Sequence, residues 1–179
     1  MKKHTTKFVL IIVVLVIGAL ILWRNGGVGF SFSNDLPAEI KAQFGEAKTY
    51  QPEGSNFTVV SPEKLKVTEV PIDGVENGKR IIAESTEGKS GFEVVVLPFD
   101  ETAPLTRERI LQDVPDMVIK NEKTIRVGNI EALSFESTDE SLGATAEIWF
   151  NHNGFIYEAR TYLEFGKTMK EILGSWKFK

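Results

Sequence analysis

Sixteen consecutive residues, Phe8 to Trp23, carry neither a charge nor a polar side chain, and Lys7 and Arg24 bound them. A globular helix normally keeps a polar face, so an all-round apolar run reads as a membrane segment. As a helix it would reach roughly 24 Å, a little short of the ~30 Å hydrocarbon layer. Lys7 and Arg24 can snorkel and Trp23 suits the interface, which makes up the difference. Lys2, Lys3 and Lys7 precede the run and only Arg24 follows closely, so the N-terminus is expected in the cytoplasm and the remainder outside it. A cleaved signal peptide is the competing reading. Trp23-Arg24-Asn25 offers no small-x-small site, and Gly27-Val28-Gly29 and Ser31-Phe32-Ser33 lie far downstream, which favours an uncleaved anchor.

Beyond the anchor the pattern changes to short elements. Residues 25–49 read as a linker holding a short helix over Leu36–Phe44, with Asp35 as cap, Pro37 in the first turn and Gly45 as stop. Leu36, Ile40 and Phe44 share one stripe, expected to pack on the following domain. From Tyr50 the alternation is mostly that of strands: Phe57–Ser61, Lys66–Val70, and a hairpin of Arg80–Thr86 with Phe92–Phe99. Val94-Val95-Val96-Leu97 is apolar on both faces and reads as a central strand. Thr106 caps a helix expected to reach about Ile119, with Ile110, Val114 and Val118 on one stripe and Pro115 kinking or shortening it. Thr124–Val127 reads as continuing into Ile130–Ser137, followed by strands Ala144–Phe150 and Phe155–Glu164, a helix Lys167–Leu173 closed by Gly174, and a last strand Trp176–Phe178.

The hairpin about Asn151-His152-Asn153-Gly154 can be placed to the residue. Asn-Gly favours a two-residue type I′ turn, and in that register paired numbers sum to 307. Phe150 then faces Tyr157, Ile148 faces Ala159 and Ala146 faces Thr161. The opposite side pairs Trp149 with Glu158, Glu147 with Arg160 and Thr145 with Tyr162. A slip of one residue would mix the apolar and polar sets.

Composition narrows the chemistry. The chain has 179 residues, no cysteine and two histidines, so thiolate chemistry, disulfides and lipid-modified cysteine are excluded, and a multi-histidine metal site is disfavoured. All 25 acidic residues follow Arg24, against 17 basic ones, leaving −8 on the exported part. Such a body is a poor nucleic-acid binder and is repelled by anionic head groups.

Three segments carry a family resemblance. Lys170-Glu171-Ile172-Leu173-Gly174-Ser175-Trp176-Lys177-Phe178 resembles the closing helix-turn-strand of PsbP-like and DcrB-like domains, with Trp176 in place of the usual Phe. Phe57-Thr58-Val59-Val60-Ser61-Pro62 is similar to their opening strand, although Lys64-Leu65 stands where a Gly-Trp often follows the proline. Residues 146–157 resemble their late hairpin. The resemblance covers about Tyr50 to Lys179. It implies an α+β fold, an antiparallel sheet sandwiched by helices, preceded here by the transmembrane helix. It implies little about activity, since relatives include an extrinsic photosystem II subunit, a Ran-binding transport factor and envelope lipoproteins.

Several candidate sites have plainer readings. Gly88-Lys89-Ser90 has the ending of a phosphate loop, but Ala83 stands where the loop needs glycine and a strand follows where it needs a helix. His152 has no serine motif to pair with and reads as a solvated turn residue. Glu136, Asp139 and Glu140 read as a solvated acidic turn, without the ligand spacing of a calcium loop. The mixed hairpin face, Glu147, Trp149, Glu158, Arg160 and Tyr162, is the candidate partner-binding patch if it is exposed, and is covered by a helix if it is not. Glu147 and Glu158 also suggest a carboxylate-dependent hydrolase. Against that, Arg160 opposite Glu147 is expected to depress its pKa. The expectation is therefore a single-pass membrane protein: residues 1–24 as tip and anchor, 25–49 as linker, and 50–179 as an extracytoplasmic domain. Its role is binding or assembly in the cell envelope, without cofactor, metal or catalysis, and its partners are the membrane and another envelope protein.

Overall fold

The computed structural model describes residues 36–85, 90–140 and 142–179. The anchor run Phe8–Trp23, the Asp35 cap and most of the Glu87–Gly91 turn lie outside them. Among the described residues no helix is long and apolar enough to cross a membrane.

The elements run α1 (Ala38–Phe44), β1 (Ala47–Tyr50), β2 (Phe57–Pro62), β3 (Leu65–Pro71), β4 (Lys79–Ser85), β5 (Gly91–Pro98), α2 (Arg107–Asp113), β6 (Lys120–Val127), β7 (Ile130–Asp139), β8 (Gly143–His152), β9 (Phe155–Tyr162), α3 (Gly166–Gly174) and β10 (Lys177–Phe178). A single turn of 3₁₀ helix, Leu163–Phe165, joins β9 to α3. Seven strands form one sheet in the order β3-β4-β5-β9-β8-β7-β6, and β1-β2-β10 form a smaller one. Every pairing is antiparallel. The fold is thus a sheet-dominated α+β arrangement.

The register of β8 with β9 runs from Thr145↔Tyr162 to His152↔Phe155, as the Asn-Gly turn requires. Asn153 (φ 49°) and Gly154 (φ 81°) both take the left-handed conformation of a type I′ turn. The expected continuous strand through residues 124–137 is instead a hairpin, Val127 pairing with Ile130 across Gly128-Asn129. Gly128, at φ 60°, supplies the first turn position. The second helix is shorter than expected, because Pro115 cannot continue it. Val114 and Val118, placed on its buried stripe, are exposed instead. Thr106 caps it as anticipated, its Oγ1 accepting from Arg109 N–H at 3.2 Å.

Because side chains alternate along strands, the large sheet has two distinct faces. The inner face carries Ile81, Ala83, Phe92, Val94, Val96, Ile148, Phe150, Tyr157 and Ala159. It is covered by α1, the small sheet and α3, which bring Leu36, Ile40, Phe44, Phe57, Met169, Ile172, Leu173 and Trp176. The segment read as a linker therefore contributes a helix and a strand to the main core, and one covering layer is a sheet where helices were expected. Phe57 is stacked on Trp176 at 5.4 Å and meets Tyr157 edge-on. The outer face carries Leu133, Phe135, Trp149 and Ile156 under a thin cover of Leu105, Ile110 and Ile119.

Candidate functional site

The strand register brings the polar hairpin residues onto the outer face, beside the rim of that thin cover. Arg160 lies between Glu147 on β8 and Glu93 on β5. Its guanidinium ion-pairs with Glu93 and reaches Asp139 at 3.5 Å. Glu147 has other partners: it accepts from the Thr145 hydroxyl at 2.8 Å and from the Trp149 indole N–H at 3.1 Å. The expected sign of its pKa is overturned. Burial raises the Glu147 carboxyl above its ordinary value, against the hydrogen bonds and the weaker pull of Arg160. The carboxylate of its neighbour Glu158 makes no hydrogen bond among the described residues. Burial, reinforced by the charge of Glu147, pushes Glu158 up to about 7.

The candidate patch is thus divided. Glu147 and Trp149 are buried, at 5% and 6% exposure, so neither presents a surface to a partner. Glu158 and Arg160 are half-buried, and Tyr162 is exposed together with Leu163. The covering segment is tied down from below: Asn151 Nδ2 donates to the carbonyls of Glu101 and Ala103 at 2.7 and 2.8 Å. Arg109 lies over Phe99 and pairs with Glu101 and Asp113. None of these tethers was legible beforehand, since Asn151 was read only as part of a turn.

The other candidates resolve locally. His152 is not a solvated turn residue. It packs edge-on to Phe178 at 5.3 Å, its Nε2 is buried without a partner, and burial lowers its pKa. In the acidic turn, Asp139 accepts from Leu142 N–H at 3.0 Å and Glu136 from Asn121 Nδ2 at 2.9 Å. Among the described residues no group of three or more His, Asp or Glu is placed to hold a metal ion.

A second polar constellation, absent from the sequence reading, lies where the inner face of β3–β5 meets the 51–56 loop. Lys79 Nζ donates to Glu69 Oε1 at 2.9 Å, Ser55 Oγ at 3.1 Å and the Glu53 carbonyl at 2.5 Å. Glu69 also accepts from the Tyr50 hydroxyl and the Glu53 N–H. Burial acts to raise the Glu69 carboxyl, but these bonds outweigh it and hold the group below its usual value. Beside this network is a cavity of about 80 Å³, adjoining an open cleft of about 430 Å³. The carboxylates raised by burial and the clefts therefore lie on opposite faces of the sheet.

No family model matches the chain, and no curated protein matches it. Among solved structures, the solution structure of cyanobacterial PsbP (CyanoP) from Synechocystis sp. PCC 6803 is similar, with a TM-score of 0.50 over 74% of this chain and 92% of that one, at 11% identity. The chain has a PsbP-like fold. The segments that carried the sequence resemblance form α3 with β10, strand β2, and the β8–β9 hairpin.

Proposed function

We propose that the chain is a membrane-anchored relative of the PsbP-like and DcrB-like domains, with a binding or assembly role in the cell envelope and no catalysis of its own. The fold likeness to CyanoP, spanning 92% of that protein, carries this reading. The run Phe8–Trp23 is its single-pass anchor, with the N-terminus in the cytoplasm and the body outside. The −8 balance of that body speaks against nucleic acid as a partner. Another envelope protein docks at the uncovered rim of the outer face, where Tyr162 and Leu163 are exposed beside Arg160.

A photo-crosslinking residue at position 162 of the full chain, in its native membrane, tests this. The reading expects a discrete neighbour captured from position 162 and not from exposed Glu76 on the far turn. Identical capture from both positions, or none from 162, contradicts it. A carboxylate-dependent hydrolase is the second reading, and the raised Glu147 and Glu158 favour it. Glu147, however, is engaged by Thr145 and Trp149, and the clefts lie across the sheet. Polysaccharide hydrolysis abolished by Glu158→Gln would restore that reading.

A further inference from the structure

Tyr157 is buried on every side but one. Its ring stacks on Phe150 at 4.7 Å and meets Phe57 and Phe178 edge-on at 5.4 and 5.5 Å. The residue is 3% exposed, lines the 80 Å³ cavity, and receives no hydrogen bond at its hydroxyl among the described residues. The hydroxyl is not sealed off: it opens on the cavity it lines and is free to pair with what enters there. Burial pushes the phenol up to about 12, so at neutral pH it is a donor.

The rest of the lining sets the kind of guest. Phe57, Val96 and Phe155 give an apolar wall. Ser55 accepts from Lys79, which leaves its own proton free to donate. All three Lys79 donors are spent and its charge is matched by Glu69, so among the described residues the cavity has no free cation in its lining. Glu53 at the rim disfavours an anion. An engineered cavity of about 150 Å³ admits benzene, so a volume of about half that takes a group of roughly three or four non-hydrogen atoms. The fitting group is neutral, with a methyl for the wall and a carbonyl oxygen for a hydroxyl donor: an acetamido group.

We infer that this cavity and its adjoining cleft form a binding site for an N-acetylated amino sugar, the acetyl seated against Tyr157 and the ring in the open cleft. The two spaces share Glu53, Asn77 and Lys79, and the open one adds Tyr50, Glu69 and Val75. Carboxylate, amide and aromatic groups suit the hydroxyls and apolar face of a sugar ring. An acetylated peptide fits less well. It would draw on main-chain bonds from the adjacent β3 edge, and that strand ends here at Pro71, which has no N–H to give. This site is on the other side of the sheet from the rim proposed for protein docking, and neither depends on the other.

Saturation-transfer NMR on the full chain in detergent micelles tests it, with N-acetylglucosamine as probe. Strongest transfer to the acetyl methyl is expected, at millimolar affinity, with glucose and glucosamine at least about tenfold weaker. Tyr157→Phe removes only the hydroxyl and should weaken binding about fivefold; Asn77→Ala, at the rim, should weaken it about twofold. No transfer to the acetyl methyl, glucose binding as tightly, or unchanged affinity in Tyr157→Phe overturns the proposal. N-acetyl-alanine methylamide binding more tightly than the sugar overturns it in favour of a peptide. Failure here leaves crosslinking from position 162 unaffected, so the two proposals fail separately.

Discussion

The two faces of the large sheet solve the same problem with unequal means. The inner face is closed by two helices, a second sheet and a run of interlocked aromatic rings. The outer face is closed by one seven-residue helix and its flanking loops, over a far smaller cluster. Where cover is deep, the inner face is apolar, and at its edge the polar network around Lys79 is closed by hydrogen bonds. Where cover is thin, Glu147 and Glu158 stand at the margin of the apolar cluster, and burial raises both carboxyls. The inner face therefore holds more of the body together than the outer face does.

Substitutions should reveal that inequality, in descending order. Phe57→Ala removes a ring touching Tyr157, Trp176 and Phe178, and should cost about 3–5 kcal/mol, enough to unfold much of a marginal domain. Trp149→Ala should cost about 2–4 kcal/mol in denaturant unfolding, through the lost ring and the donor withdrawn from buried Glu147. A loss larger than that of Phe57→Ala would erase the distinction between the faces, and a loss near zero would return Trp149 to the surface.

Glu158 sharpens the comparison through pH. Its folded value of about 7 lies above the ordinary 4.5, so between those values the unfolded chain gives up a proton that the folded one retains. The stabilisation is full below pH 4.5, falls as pH rises, and is gone above pH 7. Its size is on the order of 1–2 kcal/mol after allowance for solvent screening. Melting temperatures of Glu158→Gln and the parent chain between pH 4 and 8 should show this slope in the parent and a smaller one in the variant. Equal slopes would mean that Glu158 ionises as if in water. Tyr162→Ala should have the least effect on folding, within about 0.5 kcal/mol, while reducing capture of the docking partner.

How much of this was legible depended on how local the signal was. The β8–β9 register followed from Asn153-Gly154 and alternation alone, and Thr106 announced its helix through capping chemistry. The Gly128-Asn129 hairpin was missed because Val127 and Ile130 flank it with uninterrupted strand propensity, and only the turn glycine marked it. Strand β1 was missed because its partner, β2, decides it and its own sequence, Ala47-Lys48-Thr49-Tyr50, has little apolar content. For Glu147, pairing with Arg160 was correctly read, yet the consequence had the wrong sign. The guanidinium turns to Glu93 and Asp139, and burial, set by the covering segment, dominates. The Tyr157 cavity draws on residues 53–57, 77, 79, 96, 153, 155 and 157, a convergence that only the folded chain reveals.

The central claim is that Phe8–Trp23 holds this PsbP-like body on the non-cytoplasmic side of a membrane. The chain has no cysteine, so Gln112→Cys, exposed on α2, gives a single reporter. In spheroplasts expressing the full chain, a membrane-impermeant maleimide should label that cysteine without lysis, and the labelled protein should sediment with membranes. Labelling only after the membrane is breached, or labelled protein in the soluble fraction, would contradict the account.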